Sequence, residues 1–465
     1  MLCNANAALI SELEAKLGAG AVRAVEPRDI EEPRGLFNGQ AAAVLRPANT
    51  AEVSLILKAC NTARVPVVPL GGGTGLVGGQ IKAEGPLPLL LSLERMANIR
   101  EISPKNNTMT VEAGAVLADI HAAAEGAGRM FPLRLASEGS CRIGGNLATN
   151  AGGVNVLRYG NTRALCMGLE AVLADGTVMG GLKRLRKDNT GYDISDLMIG
   201  SEGSLGVITA AVLRLYPIPE ARHTAFVAVP SPEAALGLLH ALEAVLPGAV
   251  TGFELIHQTG FDFLAETGFS LKPPLDADDW TVLLEISGAQ GLAEGLEAAL
   301  VAALDIGQIT DAVIAQNEAQ RAHFWAIRET IPEANKRIGA ISSHDISVPV
   351  SEVPAFITQA RKAVPPALRI NCFGHMGDGN LHYNIFPPKG ESRANYADQR
   401  GEIARNVFDV VAEFGGSFSA EHGVGRLKME DLEHYGDAGR LAAMRRIKRA
   451  LDPVGIMNPG AVLRA

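Results

Sequence analysis

Two histidines and a carboxylate set the first chemical expectation. The run Gly374-His375-Met376-Gly377-Asp378-Gly379-Asn380-Leu381-His382 brackets a Gly/Asp turn with imidazoles, and Glu421-His422 follows further along. Two His and one carboxylate form a metal-ligand set that leaves coordination positions open. The pattern reads as a strand over 371–375, a turn over 376–379 and a returning strand over 380–385. On the returning strand Asn380, His382 and Asn384 share a face, and His375 lies across from its start. Both imidazoles can therefore converge on one ion. Glu421 and His422, if extended, point to opposite sides, so one can bind metal while the other faces a substrate. His121, His223, His240, His257, His323 and His434 read as ordinary structural residues.

Three glycine-rich loops supply the second expectation. The first runs Pro69-Leu70-Gly71-Gly72-Gly73-Thr74-Gly75-Leu76-Val77-Gly78-Gly79. Gly73-x-Gly75-x-x-Gly78 matches the dinucleotide fingerprint in letters only. That fingerprint needs a helix to start at the loop, and Gln80 to Pro86 carries a Gly and a Pro that forbid one. No Lys stands directly after a loop glycine, so a Walker loop fails as well. What remains is a row of bare N–H groups suited to a diphosphate. The second loop covers Ser137-Glu138-Gly139-Ser140 and 143–153. The third is Gly200-Ser201-Glu202-Gly203-Ser204-Leu205-Gly206-Val207-Ile208. One long, flat, polar ligand explains three such loops better than three unrelated turns.

Two patterns of secondary structure surround these residues. Residues 40–217 alternate strand-like and helix-like segments. Ala42 to Leu45 is extended, and Asn49 with Glu52 opens a helix to about Thr62. Strands are predicted at 65–70, 89–93, 108–112, 169–173 and 207–215. Tyr216-Pro217-Ile218-Pro219 ends that region. From about 222, strands near 223–229, 253–256, 280–286, 311–314 and 345–350 alternate with helices opened by Ser231-Pro232 and near 317. That implies an antiparallel sheet in an α+β layer. The tail is read as one helix, the Glu421-His422 loop and Met457-Asn458-Pro459-Gly460.

The chain has 465 residues, net charge −9, 47% hydrophobic and 20% charged residues. That suits two or three globular domains and argues against a nucleic-acid surface. Its five scattered cysteines argue against a disulfide framework or an iron–sulfur cluster and suggest a reducing, cytoplasmic setting. No apolar run is long enough for a membrane span, and residues 5–17 read as an amphipathic helix rather than a leader.

The three loops, in this order, resemble the FAD domain of the vanillyl-alcohol oxidase / p-cresol methylhydroxylase (PCMH) superfamily. Gly374–His382 with Glu421-His422-Gly423 resembles its FAD-linked D-2-hydroxyacid dehydrogenase branch, which spans D-2-hydroxyglutarate, D-lactate and glycolate enzymes. The resemblance implies an α+β fold: an N-terminal helical segment (1–36), a PCMH-type FAD-binding domain of two α+β subdomains (37–218), an α/β cap domain with a mostly antiparallel sheet (219–415), and a C-terminal segment returning to the FAD domain (416–465). It implies FAD contacts at Pro69, Gly71, Gly72, Gly73, Thr74, Gly75, Leu76, Gly78 and Gly79, and at Ser137, Glu138, Gly139, Gly144, Gly145, Asn146, Thr149, Asn150, Gly152 and Gly153. Further contacts fall at Glu202, Gly203, Gly206, Val207, Ile208 and Asn458. Thr74 stands where covalent relatives often have His, so non-covalent FAD is expected.

The resemblance further implies a divalent metal, zinc by analogy, on His375, His382 and Glu421. His422 becomes the general base, and Arg328 and Asn384 bind substrate. The activity implied is oxidation of a 2-hydroxyglutarate-, lactate-, glycolate- or malate-class 2-hydroxyacid to the 2-oxoacid. Hydride goes to flavin N5 and electrons to a separate acceptor, such as an electron-transfer flavoprotein or quinone. A homodimer is a candidate assembly. Two positions depart from the hydroxyglutarate pattern: Pro332 replaces a Thr and Ser343 a Lys, with Lys336 or Arg337 as candidate compensators. The alternatives are a non-catalytic flavin-binding or electron-relay subunit and, less compatible with the metal motif, a non-redox transferase.

Overall fold

The computed structural model describes residues 1–32 and 35–464. They form two compact units. One holds residues up to 152, 160–218 and the returning segment from 421; the other holds 153–159 and 219–420.

The first unit contains two main sheets. In the smaller, strands lie in the order Val22–Arg23, Ala43–Leu45, Leu89–Ser92, Val67–Leu70. Leu89–Ser92 runs parallel to both of its neighbours. A parallel pair needs a crossover, and the helix Thr50–Ala63 supplies it. Asn49 accepts from the Glu52 N–H at 2.9 Å, while Glu52 accepts from the Ala48 N–H at 2.7 Å. These two bonds fix where the helix starts. The larger sheet is antiparallel, in the order Ile99–Ser103, Thr108–Glu112, Gly206–Arg214, Cys166–Leu173, Val178–Met179. No helix follows the first glycine loop, and the next regular element is the strand Leu89–Ser92.

The second unit is built on a seven-stranded antiparallel sheet. Its order is Asp311–Ile314, Ala221–Val229, Trp280–Gly288, Val250–His257, Arg369–His375, Asn380–Phe386, Asp345–Ser347. Helices Gln258–Glu266 and Glu318–Ile338 bury an apolar stripe against it, with Phe261, Phe263, Phe324, Ile327 and Ile331 meeting Phe226, Ile256, Leu283, Phe373 and Phe386. At about 1.5–3 kcal/mol per fully buried large side chain, this cluster is a major source of the unit's cohesion.

Two local expectations need correcting. The strand expected over 345–350 stops at Ser347, and Val350–Glu352 turns as a 3-10 helix. Pro349 lacks the N–H that a sheet ladder needs. The tail carries two helices after 421, Met429–Tyr435 and Ala438–Leu451, rather than one. The chain breaks at Gly436-Asp437, where Asp437 caps the second helix by accepting from the Arg440 N–H at 2.7 Å. Among the described residues no helix is long and apolar enough to cross a membrane.

Candidate active site

The three glycine loops of the first unit line one cleft with about 1060 Å³ of empty space, including its mouth. Pro69, Gly71, Gly72, Gly73, Thr74, Gly75 and Gly79 come from the first loop. The second contributes Gly144, Gly145, Asn146 and Thr149, and the third Glu202, Gly203, Gly206, Val207 and Ile208. The loops touch because they lack side chains. A Cβ on Gly72 would run into the Ser140 carbonyl and stand 2.8 Å from Cys141 Cα. Among the described residues, the N–H groups of Gly71, Gly72, Gly73, Thr74 and Gly75 donate no hydrogen bond within the chain. Asn146 Oδ1 is buried with no partner there. Buried polar groups are rarely left this way. Five consecutive bare donors and an orphaned acceptor in one cleft fit a ligand carrying phosphates and ring polar atoms, as FAD does.

Several expected contacts do not line the cleft. These are Leu76, Gly78, Ser137, Glu138, Gly139, Asn150, Gly152 and Gly153. Gly78 faces the Phe37 ring. Glu138 pairs with Arg134 at 3.1 Å. Asn150 Oδ1 accepts from the Arg163 N–H at 2.9 Å, and Gly153 belongs to the second unit. Arg142, which sequence reasoning missed, does line the cleft and donates to the Gly114 carbonyl at 2.6 Å. Its signal was a lone cation between two halves of a glycine loop.

The returning segment braces this cleft. His422 and Asn458 both line it. The Asn458 amide is committed to bracing: its nitrogen donates to Gly79 and Glu202 carbonyls at 2.9 and 2.8 Å, and its oxygen accepts from Arg426 at 2.8 Å. Arg426 also donates to the Gly78 and Gly79 carbonyls at 3.0 and 2.5 Å. Burial pulls its guanidinium down to about 10, so at neutral pH it remains a cation beneath the first loop. Glu202 accepts from the Val424 and Gly425 N–H groups, both at 2.8 Å. Burial pushes its carboxyl up despite those donors. Its role in the chain is to fold the 421–425 turn.

The second unit holds the other half of the expected chemistry. Arg369–His375 and Asn380–Phe386 form the hairpin, with Phe373 opposite His382 and Asn371 opposite Asn384. Gly379 turns it at φ +83°, and a Cβ there would strike the Val348 carbonyl. The His375 and His382 rings lie 6.0 Å apart, with ligand nitrogens within 4.8 Å of each other. Asp345 is the register partner of His382, and its carbonyl accepts from the Ala420 N–H at 3.3 Å. Glu421 leaves the chain one residue beyond that bond. Two imidazole nitrogens this close suit two ligand positions of a divalent cation by donor chemistry.

Arg328 projects from Glu318–Ile338 into this sheet. It is 6% exposed, and its guanidinium stacks over Phe373 at 4.7 Å. Its Nε–H donates to Glu254 at 2.7 Å, and the other Glu254 oxygen bonds His375 Nδ1. Glu254 is fully buried. Burial alone would raise its carboxyl, but His375 and Arg328 outweigh that and hold it down at about 2. Glu254 also escaped the sequence reading. The available signal was one charge inside the otherwise apolar run Phe253-Glu254-Leu255-Ile256. Asn384 Oδ1 accepts from the His344 N–H at 3.1 Å. Pro332, Ser343, Lys336 and Arg337 are all exposed. Arg337 already bonds Glu333 and the Thr267 carbonyl and packs over Phe269.

The fold and the cleft define a flavin-linked oxidoreductase with a PCMH-type architecture. Residues 41–180 match the family described as "FAD binding domain", and 218–462 match "FAD linked oxidases, C-terminal domain". Rice "Probable D-2-hydroxyglutarate dehydrogenase, mitochondrial" is 38% identical over 92% of this chain and 76% of its own length. A "D-2-hydroxyglutarate dehydrogenase" from Xanthomonas citri is 37% identical over 90% of this chain and 88% of its own. The crystal structure of p-cresol methylhydroxylase with substrate bound superposes with a TM-score of 0.76 at 17% identity, covering 99% of this chain and 98% of that one. The chain belongs to the FAD-linked D-2-hydroxyacid dehydrogenases of the vanillyl-alcohol oxidase / PCMH superfamily. It is an enzyme that oxidises a D-2-hydroxyacid with FAD.

The expectation of a cytoplasmic setting does not stand. The rice relative carries a mitochondrial name, as does that of Arabidopsis thaliana, whereas that of Xanthomonas citri names no compartment. Unpaired cysteines distinguish reducing from oxidising surroundings, and they do not distinguish one reducing compartment from another.

Proposed function

We propose that this chain oxidises a D-2-hydroxyacid with the help of a divalent cation, zinc being the first choice, and with non-covalently held FAD. Electrons then leave to a separate acceptor, such as an electron-transfer flavoprotein or a quinone. The observation that carries this reading is a pair of imidazole nitrogens within 4.8 Å, joined through one buried carboxylate to Arg328. When bound, the flavin takes up hydride at N5 and the cation lowers the pKa of the substrate hydroxyl.

The chain's own residues do the rest. The bare N–H groups of 71–75 hold the diphosphate, with the Arg426 charge beneath them. His375, His382 and Glu421 hold the cation. The two terminal nitrogens of Arg328, which make no hydrogen bond among the described residues, grip the substrate carboxylate through parallel bonds. Asn384 offers its amide to the same substrate. His422 takes the hydroxyl proton as general base. With Arg337 already engaged and Ser343 uncharged, exposed Lys336 is what is left of the two candidate compensators for the far end of the substrate. That favours glycolate-, lactate- and malate-sized acids alongside 2-hydroxyglutarate.

The test is an anaerobic panel of D- and L-lactate, glycolate, D- and L-malate and D- and L-2-hydroxyglutarate. Loss of the flavin band with a D-acid and not its L-enantiomer is expected. A flavin that no 2-hydroxyacid bleaches would favour an electron-relay subunit instead.

A further inference from the structure

Glu254 bonds both to a proposed metal ligand and to the proposed substrate arginine. It lies fully buried on Val250–His257, directly opposite His375 in the sheet register. An ionised carboxylate can only accept hydrogen bonds. Its bond to His375 Nδ1 therefore fixes the proton on Nδ1 and leaves the Nε2 lone pair as the sole ligand atom. Its other oxygen takes the Nε–H of Arg328, pinning the guanidinium edge-on while Phe373 supports its face at 4.7 Å. Among the described residues the two terminal nitrogens make no hydrogen bond. A buried arginine in the apolar cluster of Phe324, Ile327 and Ile331 would otherwise be costly.

We infer that Glu254 is a positioning residue that serves both halves of the site at once. It sets the tautomer of a metal ligand and the aim of the substrate arginine, so metal retention and carboxylate binding are coupled through one side chain. Carboxylates behind metal-bound histidines commonly act this way on the metal side. The coupling to the arginine is the additional element. This inference rests on the metal-assisted reading above.

Glu254→Gln keeps the size but replaces one acceptor with a donor, so it can satisfy only one of the two N–H groups. In the full FAD-loaded chain, competition against a chromophoric chelator measures zinc affinity. The substitution should weaken zinc by about 10–100-fold and raise the KM for the best 2-hydroxyacid, with flavin content unchanged. Glu254→Asp should recover part of both effects. A Glu254→Gln chain that binds zinc within about twofold of wild type overturns the inference while leaving the metal reading intact. A wild-type chain that binds no stoichiometric divalent ion overturns both. Should the variant fail to fold, the wild-type protein still decides. With ¹⁵N-labelled histidine, and His375→Gln used to assign the signal, His375 should show a protonated Nδ1 and an unprotonated Nε2. The reverse pattern would refute it.

Discussion

His422 is where flavin and proton chemistry are proposed to meet, because it lines the cleft formed by the bare N–H row. Replacing it with Ala should leave FAD bound and slow single-turnover flavin reduction by about 10²–10⁴-fold. Reduction at the wild-type rate would remove it as base. Arg328 is expected to act on binding. Lys keeps the charge but lacks the fork, so Arg328→Lys should raise KM by about 10–100-fold, the scale of a lost charged hydrogen bond. Steady-state kinetics with the best substrate checks this. At this scale the sequence was uneven. His375 and His382 were legible because their spacing around a Gly/Asp turn already implied a hairpin. Glu254 was not, because its partners come from a helix about 70 residues away and from a neighbouring strand. A lone acid in an apolar strand acquires meaning only once those neighbours are known.

At the scale of elements, the glycine loops do their work through close approach. Gly72→Ala should press a methyl into the Ser140 carbonyl. Overpacking of this kind costs about 1–3 kcal/mol, so flavin affinity should fall by roughly 10–100-fold, readable from the 450 nm to 280 nm absorbance ratio of the purified protein. Full flavin occupancy in that variant would argue against the loop contact. The caps at Asn49 and Ser231 were readable as local chemistry, and each accepts the N–H three residues on. The early end of the strand at Ser347 was readable in principle from Pro349. The alternation of residues 345–350 simply outweighed it.

Across the whole molecule, the chain order explains why the site could be read at all. The returning segment begins at Glu421, so a proposed ligand and the proposed base are adjacent residues entering the unit that holds the flavin cleft. The buried Glu254 cluster also predicts acid behaviour. Its carboxyl sits at about 2 in the folded chain against an ordinary 4.5. A depressed carboxyl contributes stability that is complete above the ordinary value and is lost as pH falls toward the folded one. Urea midpoints should therefore drop between about pH 4.5 and 2, and Glu254→Gln should flatten that limb.

Anaerobic stopped-flow reduction of the flavin, before and after chelation, decides whether a cation assists the oxidation. With its best D-2-hydroxyacid, the metal-stripped chain should retain FAD yet reduce it at least about 100-fold more slowly, and added Zn²⁺ should restore the rate. Unchanged reduction after the metal has been removed would rule out metal assistance.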